Sequence, residues 1–159
     1  MPDRPTEMLT GDREPLQEFD PDELGYCRVH PDVVQSDDMV DPANVQCPDF
    51  SSNRSKLSLS HYVLYPRAQY GSYAVFKFFY REILASVSSP DASGGTPVNY
   101  AVKTLHDPEA DNYGHCETRL YRGDQRMAPN KVSKGAKKLF REHMSRILAL
   151  ERAAGIPFP

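Results

Sequence analysis

The sequence has few cysteines and none of the motifs that are typical of a nucleotide-cofactor or metal-dependent enzyme. Its three cysteines include no CxxC pair, and an odd number does not fit a disulfide framework. No P-loop, GxGxxG, GxSxG or HExxH motif occurs. The sequence therefore predicts no cofactor, and its cysteine usage indicates a reduced, cytoplasmic protein.

Long hydrophobic runs are also missing. The longest mostly apolar stretch, residues 73–87, is interrupted by Lys77, Arg81 and Glu82. It falls short of the roughly 20 apolar residues that a membrane-spanning helix needs. The first 23 residues contain no apolar segment of the kind found in secretory signals. We expect a soluble protein without a membrane partner.

Charge is unevenly distributed, although the formal net charge is only −3. Residues 1–50 carry 13 acidic and 3 basic side chains, a net −10, whereas residues 51–159 carry 9 acidic and 16 basic ones, a net +7. This asymmetry suggests a polyanionic partner for the basic part or an acidic segment that folds back onto it. Two solvated surfaces of opposite sign explain it equally well.

The chain of 159 residues most simply forms one domain. Residues 1–19 are acidic and contain prolines, so we interpret them as a mobile arm or wrapped extension, followed by a single domain over 20–159. Turn-forming residues predict loops at 51–55 and 88–97, and a short helix is predicted at 59–65. Alternating and β-branched stretches predict strands at 24–30, 72–80, 98–105 and 115–121.

The strongest pattern is an amphipathic helix over residues 133–155. Ala136, Phe140, Met144 and Leu148 mark its packed side at steps of four residues, with Leu139 and Ile147 beside them. Strands followed by a long helix predict an α+β domain, with a small, mostly antiparallel sheet and the helix on one face.

Residues 106–121, HDPEADNYGHCETRLY, contain two histidines, a cysteine and four carboxylates. Zinc ligands must converge on one point, but neighbouring strand residues such as His115 and Cys116 face opposite sides of a sheet. We therefore predict no metal site. The segment is better explained as a turn that leads into a half-buried strand.

The same alternation groups polar side chains. If Cys116, Thr118 and Leu120 face the core, then His115, Glu117, Arg119 and Tyr121 share the other face. On the first strand, Tyr26, Arg28 and His30 would face outward. Adjacent strands would bring these groups together, with His115, Glu117, Arg28 and His30 as candidate catalytic residues. A plain solvated sheet face is the alternative.

A second candidate surface is basic. Cations near a helix N-terminus oppose the helix dipole, so helix stability does not explain them, whereas an anionic partner would. The alternatives are a lysine-rich solvated helix and a patch covered by the acidic arm. The candidate anion- or nucleic-acid-binding residues are Arg54, Arg119, Arg122, Lys131, Lys134, Lys137, Lys138 and Arg141.

Three short segments, YCRVHPD, SSNRS and HDPEADNYGHC, together resemble a pattern in a group of small bacterial proteins without an assigned activity. This resemblance directs attention to Arg28, His30, Arg54, His106, Asp107 and His115.

The chain is also similar to ADP-ribosyltransferase toxins in the order of an arginine on a first strand, a serine-bearing second motif and a glutamate on a late strand. The matching positions are Arg28, Ser52 or Ser55, and Glu117, although the Ser-Thr-Ser form of the second motif is absent.

Three functions are compatible with these features. The first is a binding or accessory protein that docks nucleic acid or an acidic partner through its basic C-terminal region. The second is a small enzyme, of ADP-ribosyltransferase type or another, that acts on a nucleotide or other phosphate-bearing substrate through the His/Arg/Glu face. The third is an assembly protein that wraps a neighbour with its acidic arm.

Overall fold

The computed structural model describes residues 4–90 and 96–152. Within these ranges the chain forms two α-helices, α1 (Arg67–Tyr70) and α2 (Lys134–Ile147), and short 3-10 turns. The eight strands in the same ranges are β1 (Leu24–Val29), β2 (Phe50–Arg54), β3 (Ala74–Phe79), β4 (Ser86–Pro90), β5 (Pro97–His106), β6 (His115–Arg122), β7 (Gln125–Arg126) and β8 (Ala149–Leu150).

The strands form one curled antiparallel sheet in the order β4-β5-β6-β2-β1-β3-β8, with β7 paired to β6. Helix α2 packs on one face of this sheet, and the two together enclose the main core. The prediction of a mixed α+β fold is therefore confirmed. In the part of the chain that the structure covers, no helix is both long and apolar enough to cross a membrane.

Strand β6 alternates as its sequence predicts. Cys116, Thr118 and Leu120 are completely buried in the core, while Glu117 and Arg119 on the opposite face are only partly buried. Strand β1 follows the same rule, because Gly25 and Cys27 are buried and Arg28 is exposed. The alternation fixes which side chains share the outer face of the sheet.

Helix α2 is shorter than predicted. It begins after Ser133, whose Oγ accepts a hydrogen bond from the Ala136 backbone N–H at 3.2 Å, and it ends at Ile147. The predicted extension to residue 155 is wrong because Ala149–Leu150 pairs with β3 as strand β8. Gly155 and Pro157, which were expected to end the helix, lie outside the described residues.

The buried face of α2 contains only some of the apolar residues that the sequence places on it. Ala136, Phe140 and Met144 are fully buried, and Leu148 follows them into the core. Leu139 was expected to lie beside these residues, but its side chain faces solvent and the residue is 45% exposed. The packed stripe is therefore narrower than predicted.

Two segments that were predicted as loops are strands. Residues 51–55 fall mostly in β2, which lies in the middle of the sheet between β1 and β6. Residues 86–90 form the edge strand β4, paired with β5, and 91–95 lie outside the described residues. Serine and asparagine favour turns, but pairing with neighbouring strands overrides such weak local preferences.

The part of the acidic N-terminal segment that the structure describes, residues 4–19, is packed on the domain. Met8 is buried, and its carbonyl accepts a hydrogen bond from the Tyr113 backbone N–H at 2.7 Å. The Leu16 backbone N–H donates to Nδ1 of buried His106 at 2.7 Å. The segment thus lies along the loop 107–114 between β5 and β6, whereas α2 contacts the turn at 42–44 and strand β4.

One buried ion pair joins this segment to the sheet. Arg54, 1% exposed, donates two hydrogen bonds to the Glu23 carboxylate at 2.7 and 2.8 Å. Its other donors reach the carbonyls of Leu16 and Glu18, and the guanidinium lies over the Phe19 ring at 3.9 Å. Because Arg54 pairs with Gly25 across the sheet, the ion pair lies where β1 joins β2.

We expect Arg54→Met to lower the free energy of unfolding by about 3–5 kcal/mol, because the Glu23 carboxylate would remain buried without its partner. Urea denaturation followed by circular dichroism measures this change. The double variant Arg54→Met/Glu23→Leu should lose less than Arg54→Met alone, since it leaves no buried charge.

Arg13→Met serves as the control, because Arg13 is exposed although its guanidinium also lies over a tyrosine ring. Its effect should remain within about 1 kcal/mol. An Arg54→Met variant as stable as this control would show that the buried pair does not stabilise the fold.

Candidate functional site

Strands β1 and β2 pair at one end only. Their ladder consists of Gly25 with Arg54 and Tyr26 with Asn53, whereas the opposite edge of β1 pairs with β3 over six residues. Beyond Tyr26 the two strands separate. This opens a cleft of about 440 Å³ in the sheet, large enough for a small-molecule ligand.

The cleft has polar walls on both sides. One wall comes from β1 and from the chain around α1, and the other comes from β2, the start of β6 and the loop before it. The wall residues are Tyr26, Arg28, His30, Tyr70 and Tyr73 on the first side, and Ser51, Asn53, Glu109, Asn112 and His115 on the second.

The floor of the cleft is apolar. Between the separated strands the cleft reaches buried core-side residues, among them Cys27, Val40, Val45, Phe50 and Leu148. Burial raises the pKa of the Cys27 thiol to about 12, so this cysteine stays protonated at neutral pH. Cys27 and Cys116 are both buried and act as small hydrophobic residues.

Arg28 is held in place at one end of the cleft. Its Nη1 donates to the Val63 carbonyl at 2.9 Å, and its guanidinium carbon lies over the Tyr70 ring, 3.6 Å from the ring centre. Tyr70 packs edge-on against Tyr73 at 5.2 Å, and Tyr73 packs edge-on against His30 at 5.0 Å. A cation and three aromatic rings therefore form a single preorganised surface.

His115 occupies the other end and is 7% exposed. Its Nδ1 donates to the Asp107 carbonyl at 2.8 Å, and its Nε2 lies 3.2 Å from Glu117 Oε1 and 3.7 Å from Glu109 Oε1. Ser51 Oγ also donates to Glu117 Oε1, at 2.8 Å. Since Nδ1 is committed to a carbonyl, Nε2 is the nitrogen that gains or loses a proton.

The two side chains shift each other's pKa. Burial alone would lower the pKa of His115, but hydrogen bonds to Glu117 and to the Asp107 carbonyl, with the nearby Glu109 charge, raise it. Burial alone would raise the pKa of Glu117, but hydrogen bonds from His115 and Ser51 lower it. The pair thus favours an imidazolium beside a carboxylate.

An amide pair fixes the loop that carries Glu109. Asn53 Nδ2 donates to Asn112 Oδ1 at 3.1 Å, and Asn112 Nδ2 donates to Asn53 Oδ1 at 2.8 Å. Because Asn53 is in β2, this reciprocal contact attaches the loop to the middle of the sheet. It thereby positions Glu109 and Asn112 at the edge of the cleft.

Arg28, His30 and His115, three of the candidate catalytic residues, line the same cleft, although the strands that carry them, β1 and β6, are not neighbours in the sheet. Strand β2 lies between β1 and β6, so Arg28 and His30 face His115 across the cleft. Glu117 stands behind His115, bonded to Ser51. The sequence does not indicate Ser51 as a partner of Glu117, because the composition of residues 51–55 is typical of a loop.

Tyr70 and Tyr73 were also missed. They reach the cleft through the packing of α1 beside β1, and no periodicity in the sequence indicates that placement.

The candidate anion-binding residues are divided between buried and open positions. Arg54 is buried against Glu23, Arg119 pairs with Asp107 at 2.8 Å, and Arg141 Nε donates to the Val45 carbonyl at 3.0 Å. The remaining members lie at the end of β6 or around the start of α2, and most of them are exposed: Arg122, Lys131, Lys134, Lys137 and Lys138.

Among the positions that match the ADP-ribosyltransferase order, Arg28, Ser52 and Glu117 lie on three adjacent strands, β1, β2 and β6, and Ser55 directly follows β2. Arg28 and Glu117 belong to the outer face of the sheet. Ser52 points to the opposite face, where its hydroxyl is hydrogen-bonded to the Tyr80 hydroxyl at 2.8 Å. Ser55 Oγ accepts from the Leu24 backbone N–H at 3.0 Å, and Ser51 is the serine that contacts Glu117.

Comparison of the chain with family models, with curated proteins and with solved structures gives no match. Across residues 4–90 and 96–152, no group of three or more His, Cys, Asp and Glu side chains is arranged to hold a metal ion. The chemistry of the site therefore has to follow from its own geometry.

We expect Glu117→Gln to lower the pKa of His115, because it removes the carboxylate that faces Nε2. A histidine NMR titration, with the His115 signal assigned from a His115→Gln variant, measures the shift. Ser51→Ala, which removes only a hydrogen bond to Glu117, should change the His115 pKa less. An unchanged or higher His115 pKa in Glu117→Gln would contradict the pairing.

Proposed function

We propose that the cleft between β1 and β2 binds a small phosphate-bearing molecule and that the protein acts on it as an enzyme. The observation that carries this proposal is the preorganised guanidinium of Arg28, facing the His115–Glu117 pair across one cleft. A held cation and a proton-transferring pair in one concave site are a common arrangement in enzymes.

Arg28 supplies the anion-binding part. One N–H is bonded to Val63, and among the described residues no other acceptor lies within hydrogen-bond distance of its guanidinium. Four of its five donors are left for a ligand. Stacking on Tyr70 restricts the side chain before a ligand arrives, so binding costs little conformational entropy. Planar donors suit phosphate or carboxylate oxygens.

His115 and Glu117 supply the proton transfer. His115 Nε2 takes a proton from the reacting group or returns one to it, and the Glu117 carboxylate stabilises the imidazolium. The Asp107 carbonyl holds the ring orientation through Nδ1 throughout. Proximity to Glu117 keeps the imidazole basic enough to act near neutral pH, in line with the raised pKa of His115.

We expect Arg28→Gln to weaken the binding of phenyl phosphate by about tenfold to a hundredfold, the range expected when one charge-assisted hydrogen bond is removed. Isothermal titration calorimetry gives the affinity directly. Phenyl phosphate is a suitable probe because it combines a phosphate with a ring that fits the tyrosine wall.

Arg81→Gln is the matched control. Arg81 also donates to one backbone carbonyl, that of Pro21, and also lies over a ring, that of Phe79, but it does not line the cleft. Equal weakening of affinity in the two variants, or none in Arg28→Gln, would overturn the role of Arg28.

We also propose a second function, the docking of nucleic acid or another polyanion on the start of α2. The supporting observation is a group of lysines there, Lys131, Lys134, Lys137 and Lys138, on a helix that contacts the turn at 42–44 and β4, whereas the described acidic segment lies along loop 107–114. Lys138 contacts Glu142 at 3.9 Å, a weak exposed pair.

The triple variant Lys134→Gln/Lys137→Gln/Lys138→Gln should weaken the binding of labelled DNA and RNA in fluorescence anisotropy. On duplex DNA, the slope of log affinity against log salt should fall by roughly 0.9 for each phosphate that is no longer neutralised. The control changes Lys56, Lys77 and Lys103 to glutamine. Equal weakening in both triple variants, or no binding at low salt, would exclude this surface.

A further inference from the structure

The two ends of the cleft have opposite hydrogen-bonding character. Arg28 offers only donors, whereas Glu109 at the other end offers only acceptors. The Glu109 side chain is 58% exposed, and its contact with His115 at 3.7 Å is longer than a hydrogen bond. A ligand that satisfies both ends must accept hydrogen bonds at one end and donate them at the other.

Most donors near Glu109 are already committed within the protein. Asn53 and Asn112 use their amides on each other, Ser51 donates to Glu117, and His115 donates from Nδ1 to a backbone carbonyl. In the part of the chain that is described, Glu117 Oε2 is buried without a hydrogen-bond donor. His115 Nε2 faces Glu117 at 3.2 Å, so the Glu109 carboxylate is left open to a donor on a ligand.

The middle of the cleft favours a flat apolar body. It passes between two separated strands and has valine, phenylalanine and leucine side chains beneath it, with Tyr26 alongside. A planar ring fills such a slot at little cost in conformational entropy and packs against aromatic side chains.

Sheet geometry sets the length of the ligand. Two interstrand spacings would place β1 roughly 10 Å from β6. Because β1 and β2 separate beyond Tyr26, and Glu109 lies in the loop before β6, the two ends of the cleft are at least about this far apart. This separation is comparable with the reach from the phosphate of a nucleoside monophosphate to the far edge of its base.

We infer that the ligand is a nucleoside monophosphate whose base carries an exocyclic amino group, with its phosphate at Arg28 and its amino group at Glu109. Adenine and cytosine present such an amino group. Hypoxanthine and uracil present a carbonyl at the same place. The carbonyl oxygen and the Glu109 carboxylate are both acceptors, so they would repel each other. This inference rests on the proposed phosphate-binding function of the cleft and adds the identity of the base.

Isothermal titration calorimetry with adenosine, inosine, cytidine and uridine 5′-monophosphates tests it. The amino-bearing member of each pair should bind about tenfold or more tightly than its keto partner, the discrimination expected of one charged hydrogen bond made or left unmade. Glu109→Gln should reduce this ratio to within about threefold, because a glutamine amide both donates and accepts.

Asp111→Asn is the matched control, since Asp111 is an acidic residue of the same loop that pairs with Arg4 and does not line the cleft. It should keep the wild-type ratio. A wild-type ratio near one, or a ratio that survives Glu109→Gln, overturns the inference.

Phenyl phosphate separates the two proposals. If it binds in an Arg28-dependent manner while amino and keto bases are not distinguished, only the assignment of the base fails. If neither phenyl phosphate nor any of the four nucleotides binds, the phosphate-binding function fails with it.

Discussion

The buried pair between Arg54 and Glu23 is the interaction on which the rest of the structure depends. It connects the residue just before β1 to the last residue of β2, at the place where these strands pair. Two charges removed from water are tolerated only with nearly complete hydrogen bonding, and Arg54 reaches this through the carbonyls of Leu16 and Glu18. The same contacts bring the acidic N-terminal segment onto the domain, so one side chain organises both the sheet and its covering segment.

The cleft follows from the short pairing between β1 and β2 beside this ion pair. Strands β1 and β2 are fixed together at the Arg54 end and separate beyond Tyr26, so the core beneath them becomes the floor of a binding site. Loop 107–114 then closes one wall, because Asn112 bonds to Asn53 on one side while Tyr113 bonds to Met8 of the N-terminal segment on the other. The loop is therefore held between the sheet and the acidic segment.

Alternation along β6 made half of the site predictable. The inward positions of Cys116 and Leu120 require His115 and Glu117 to share the outer face, and the sequence alone indicates this. The other half depends on β2, whose Ser51 and Asn53 are typical of turns and become a strand only through pairing on both sides. The end of α2 was missed for a related reason, because Ala149–Leu150 continues the helical spacing yet gains more from pairing with β3.

The short ladder between β1 and β2 also has a mechanical consequence. It divides the ladder of the sheet into two parts, β4-β5-β6-β2 and β1-β3-β8, that share two residue pairs. The contact between these parts therefore relies on side chains: the Arg54–Glu23 ion pair, the hydrogen bond between the Ser52 and Tyr80 hydroxyls, and the core to which both parts contribute. The width of the cleft is thus set by side-chain packing more than by backbone hydrogen bonds.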